Sequence, residues 1–129
     1  MVIHGGAGLD AHAEEQALEL ARAGLELAAA VSVHGRLATL QPARAGDIRT
    51  PILVCHGALD PHSPSTDVMS FVDEMNTATT DWQLVLYGGA QHGFTHEGAT
   101  PTRGVAYDAA ADRRSLEAID RFLKEVFAA

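Results

Sequence analysis

Runs of apolar and β-branched residues that end at glycine, alternating with stretches of helical length, constrain this chain more than any other feature of its sequence. Val2 to His4 stops at Gly5-Gly6-Ala7-Gly8, Ala28 to Val33 at His34-Gly35, Pro51 to Gly57 at its own glycine, and Trp82 to Tyr87 at Gly88-Gly89. Runs without polar alternation read as strands buried on both faces, the habit of a parallel sheet. Asp10 is placed to cap a first helix, in which Ala13, Ala17, Leu20 and Ala21 recur at helical spacing and Gly24 is the stop. Ser65 or Thr66 is expected to cap a second, with Val68, Phe71, Val72 and Met75 on its apolar face. From about Asp108 to Phe127 a third helix carries Leu116, Ile119, Leu123 and Val126 as one stripe. Arg36 to Thr50 has no clear period and reads as a surface connection. Strands and helices alternating at these lengths predict an α/β architecture, a mostly parallel sheet flanked by helices.

A chain of 129 residues, 47% of them hydrophobic, is expected to bury one core as a single domain over residues 1–129. Its 17 acidic against 9 basic side chains give a formal charge of −8, which repels phosphate backbones and anionic lipid. Nucleic acid and membrane surfaces are therefore not expected partners. Cys55 is the single cysteine, so an intramolecular disulfide and a Cys-rich zinc motif are both excluded. With no basic region ahead of the short apolar run at the N-terminus, a cytoplasmic, unexported protein is expected.

In open parallel sheets, ligands bind beyond the carboxyl ends of the strands. Those ends hold His4, His34, His56 with Asp60 and His62, and His92, drawn from 7 histidines in all. Asp60 follows one strand in Gly57-Ala58-Leu59-Asp60-Pro61-His62; His92 follows the next in Gly88-Gly89-Ala90-Gln91-His92-Gly93-Phe94. Neighbouring parallel strands would bring these loops together, and a carboxylate that accepts an imidazole N–H fixes the tautomer a general base needs. The same residues also suit a plainer reading, with Asp60 capping a turn before Pro61 and His92 an ordinary loop histidine.

The runs Ile52-Leu53-Val54-Cys55-His56-Gly57-Ala58-Leu59-Asp60-Pro61-His62 and Tyr87-Gly88-Gly89-Ala90-Gln91-His92-Gly93-Phe94-Thr95-His96, followed by Val105-Ala106-Tyr107-Asp108-Ala109-Ala110-Ala111-Asp112, resemble the C-terminal half of dienelactone hydrolase family proteins. The resemblance covers roughly Ala17 to Phe127. It implies a reduced α/β-hydrolase fold with Asp60 as the triad acid and His92 as the triad base, and it sets Tyr107 and Asp108 before the final helix. The family's nucleophile elbow, glycine-x-cysteine or serine-x-glycine on a strained strand-to-helix turn, does not occur in this sequence. Where it should stand, Ile3-His4-Gly5-Gly6-Ala7-Gly8-Leu9-Asp10-Ala11-His12 resembles the early strand and glycine-rich loop that contribute the oxyanion hole. A fusion that removes the strands between is the expected origin. Cys55 is a poor substitute nucleophile, because it falls inside a buried strand.

The expected function is hydrolysis of small esters or lactones, extending to phosphotriesters. Water would be activated by His92 and Asp60, or by a divalent metal such as zinc held by His4, Asp60 and His92. Gly5, Gly6 and His62 are the expected oxyanion and substrate contacts. A sheet shortened in this way is expected to be completed by a homodimer. Two alternatives stand beside the hydrolase: a non-catalytic remnant that binds a ligand or partner, and a half-enzyme whose nucleophile comes from a separate chain.

Overall fold

A computed structural model describes residues 11–25 and 27–128. Its elements are α1 (Ala11–Arg22), β1 (Ala30–Val33), β2 (Ile52–Gly57), α2 (Ser65–Ala78), β3 (Trp82–Tyr87) and α3 (Ala109–Ala128). The strands form one parallel sheet in the order β1-β2-β3. β2 is the middle strand and all six of its residues are buried, as its unbroken apolar run requires. Asp10 and the Val2 to His4 run lie outside the described residues.

Because successive strand residues face opposite sides, β2 divides its side chains between two cores. Ile52 and Val54 pack with Ala17, Leu18 and Ala21 of α1 and with Val68, Phe71, Met75 and Ala78 of α2. Leu53 and Cys55 pack with Val31, Val33 and Phe94 and with Ala111, Ile119 and Phe122 of α3. The result is a sheet between two helical layers, the arrangement expected from the sequence. Among the described residues no helix is long and apolar enough to cross a membrane.

Three local expectations need correction. The N-cap of α2 is Pro64, in extended backbone and without a side-chain cap bond, so Ser65 is already helical. Proline fits there because it fixes its own φ while Asp67 and Val68 donate back to its carbonyl. On α3, Ile119 is buried and Leu123 and Val126 pack against the second core as expected, beside Ala111, Ser115 and Phe122, but Leu116 is 55% exposed. Small residues at 111 and 115 let the start of α3 approach the sheet, and Phe122 fills the space further along, which leaves Leu116 outside the packed face. The connection from Arg36 to Thr50 is irregular as expected, yet it buries Leu37, Ala43 and Ile48 in the first core.

A buried ion pair ties that connection to both helices. Arg22 Nε and Nη2 donate to Glu74 at 3.0 and 2.7 Å, Nη2 also donates to the Leu37 carbonyl at 2.9 Å, and the Ala43 N–H donates to Glu74 Oε2 at 2.8 Å. The two side chains are 5% and 2% exposed, so removing Arg22 strands Glu74 away from water, while removing Glu74 leaves Arg22 with the Leu37 carbonyl and the exposed Glu19 at 2.6 Å. Glu74→Ala should therefore destabilise the protein by about 3–5 kcal/mol, measured by urea denaturation. A loss below about 1 kcal/mol would mean that Glu19 alone satisfies Arg22.

Candidate active site

The parallel register sets the ends of β2 and β3 side by side, with Gly57 opposite Tyr87. The loops that follow are then joined by backbone bonds from Ala58 N to Tyr87 O at 3.0 Å and from Leu59 N to Ala90 O at 2.9 Å. Gly57 is required beneath this crossing. A Cβ there would lie 2.7 Å from both the Ala90 and the Gln91 carbonyl oxygens, closer than unbonded atoms sit. Gly93, at φ +67°, makes the turn just after His92.

Asp60 and His92 meet where the loops converge. His92 Nδ1–H donates to Asp60 Oδ2 at 2.9 Å, and the His62 backbone N–H donates to Asp60 Oδ1 at 2.8 Å. One carboxylate thus closes the turn past Pro61 and receives the imidazole, so both sequence readings of Asp60 describe it. Its side chain is 1% exposed against 28% for His92. Burial alone would raise the Asp60 pKa. The hydrogen bonds from His92 and His62, helped by coulombic attraction to His92 and His56, outweigh it and hold the carboxyl below its ordinary value. With Nδ1 protonated against a fixed anion, the basic lone pair of His92 belongs to Nε2, and the imidazolium formed on proton uptake is stabilised.

Other imidazoles surround the pair. The His62 ring centroid is 4.5 Å from that of His92, and His62 itself is exposed. His34, the residue after β1, is 5.5 Å from His92 and 4.9 Å from His96. His56 is buried and donates from Nε2 to the Ser63 carbonyl at 2.9 Å. The sequence places His34 at a strand end without giving it a task, and gives none to His96 or to Thr95, which is hydrogen-bonded to His34 Nε2 at 2.9 Å.

His4, Gly5 and Gly6 lie outside the described residues. Among the described residues no three or more histidine, cysteine, aspartate or glutamate side chains are grouped so as to hold a metal ion. Cys55 is fully buried on the α3 side of β2. Burial pushes its thiol up to about 11, and a weak bond from the Tyr87 hydroxyl at 3.8 Å offsets this only in part. A thiol so placed is not a nucleophile at neutral pH.

Comparison with known proteins gives a consistent picture. The model of the dienelactone hydrolase family matches residues 15–127. The chain is 38% identical over 105 residues to an uncharacterized protein of Caenorhabditis elegans, covering 78% of this chain and 65% of that one. Among solved structures, m3DLH is similar at 38% identity and a TM-score of 0.78, with 88% of this chain and 48% of that chain covered. A dienelactone hydrolase-like promiscuous phosphotriesterase from metagenomic libraries is similar at 39% identity and a TM-score of 0.75, with the same two coverages of 88% and 48%. Esterase 2 of Thermogutta terrifontis, phosphorylated by paraoxon, is similar at 28% identity and a TM-score of 0.57, over 76% of this chain and 40% of that one. The chain spans about half the length of the first two structures.

Because the folded-state pKa of Asp60 is lowered, the stability its charge contributes is complete above the ordinary carboxylate value and is lost as pH falls through the folded value. Asp60→Asn should lower stability at pH 7 by about 1–3 kcal/mol. The gap between variant and parent should stay level on acidification and close only below about pH 3.9. Urea midpoints across pH check this, and a gap that closes near pH 6 would point to histidine instead. Gly57→Ala should cost about 1–3 kcal/mol and loosen the His92 to Asp60 bond, visible as a changed His92 imidazole signal in NMR spectra.

Proposed function

The chain belongs to the dienelactone hydrolase family, and from that premise we propose that it hydrolyses small ester-type substrates, with His92 oriented by Asp60 as the base that activates water. The observation that carries the reading is the 2.9 Å bond between a buried carboxylate and a part-exposed imidazole at the carboxyl ends of two parallel strands. Relatives named as a phosphotriesterase and as an esterase phosphorylated by paraoxon support esters, lactones and phosphotriesters as the substrate class.

In the proposed reaction, His92 Nε2 takes a proton from water as the water oxygen attacks the acyl carbon. Asp60 stabilises the imidazolium, which then returns the proton to the departing alkoxide. Gly5 and Gly6 are assigned the oxyanion and His62 the outer wall of the substrate site. The alternative activation, a divalent metal such as zinc on His4, Asp60 and His92, competes with the direct bond, since Asp60 Oδ2 and His92 Nδ1 already face each other. That geometry favours the metal-free version. A second copy of the chain is the proposed partner; β1 lies at one edge of the described sheet, a position that a second copy could extend.

Nitrophenyl esters and phosphotriesters should turn over at neutral pH with no loss on treatment with a chelator. His92→Ala should reduce kcat by about 10²–10⁴-fold, and Cys55→Ser should leave it within about threefold, as expected of an inert buried thiol. Chelator-sensitive turnover would move the reading to the metal. Absence of turnover in the parent would favour a binding remnant or a half-enzyme. Sedimentation at micromolar concentration should find a dimer, and a monomer would remove the proposed partner.

A further inference from the structure

His34 stands in a conformation that a side chain rarely adopts. It is the first residue beyond β1, its N–H still donates to the Cys55 carbonyl at 2.8 Å, and its φ is +45°. In that left-handed region every L residue except glycine is disfavoured. The chain nonetheless keeps histidine there and buries it to 1% exposure. Backbone strain of this kind persists only where the surroundings over-determine it, and such places cluster at functional sites.

Among the described residues, one short segment meets this ring repeatedly. His34 Nε2 is hydrogen-bonded to the Thr95 hydroxyl at 2.9 Å, and its ring meets His92, Phe94 and His96 edge-on at centroid distances of 5.5, 5.2 and 4.9 Å. It thus meets four side chains of the 92–96 segment. Asp60 holds His92 through Nδ1 from one side and the His62 ring lies 4.5 Å away. A buried ring packed at a steep angle against an imidazole limits how far that imidazole can rotate about its bond to a carboxylate. Productive geometry at a catalytic group has to be held by neighbours whose own rotamers are locked.

We infer that His34 is a positioning residue for His92: the strained turn after β1 aims its ring at the 92–96 segment, and this fixes the orientation in which His92 meets Asp60. The inference rests on the reading of His92 as the base, but the contact can be tested apart from it. In protein carrying ¹⁵N-labelled histidine, with His92 assigned by comparison with His92→Ala, the His92 nitrogens should report one tautomer, protonated at Nδ1. In His34→Ala both nitrogens should move towards averaged values, and kcat should fall about ten- to hundredfold with KM within about threefold, the pattern of lost orientation. Thr95→Val leaves both rings in place and should shift the same signals less, which keeps the test available if His34→Ala fails to fold. Unchanged His92 nitrogens in these variants overturn the inference, whatever turnover does. Shifted nitrogens together with turnover indifferent to His92→Ala would uphold the positioning contact and discard the general-base reading instead.

Discussion

The parallel ladder between β2 and β3 is the constraint on which the rest of this molecule depends. It fixes which residues end level with one another, and through Gly57 it lets the loop after β3 cross directly over the end of β2. Everything at the candidate site follows from that crossing: the two backbone bonds that join the loops, the burial of the Asp60 carboxylate, and the arrival of His92 within hydrogen-bonding distance of it. The helices contribute by sealing the faces of the ladder, α1 and α2 on one side and α3 on the other.

The site's electrostatics also derive from this arrangement. A carboxylate taken out of water is costly unless donors replace its hydration. Asp60 receives one donor from its own turn and one from the neighbouring loop, so its charge both stabilises the fold and orients an imidazole. Cys55, two residues back in β2 from Gly57, receives only a weak contact from Tyr87 and keeps its proton. Side chains close together in sequence are thus given opposite ionisation behaviour by the number and quality of the donors that reach them.

The strands and the meeting of Asp60 with His92 were legible in the sequence because unbroken apolar runs bounded by proline and glycine leave few alternatives, and because a strand-helix-strand unit places its two following loops at one edge. What the sequence did not disclose is side-chain rotation about elements already identified. Ile119, Leu123 and Val126 of α3 pack as their spacing implies, yet close approach at Ala111 and Ser115 leaves Leu116 exposed. Nothing in the sequence links Arg22 to Glu74, since one-dimensional pattern carries no sign that two distant ions share a buried site. His34 was legible as a residue at a strand end but not as a ring across His92, because a positive φ at a non-glycine residue is imposed by packing and leaves no mark in local composition.

The Arg22 and Glu74 tie has a bearing on how the fold responds to dissolved salt. The pairs on α3, Arg113 with Glu117 and Lys124 with Asp120, are exposed, and mobile ions weaken such contacts readily. The tie that joins α1, α2 and the long connection is shut off from those ions, while the formal charge of −8 spread over the chain is the kind of self-repulsion that they relieve. Brine therefore dissolves what matters least to this architecture and spares the ionic link at its centre.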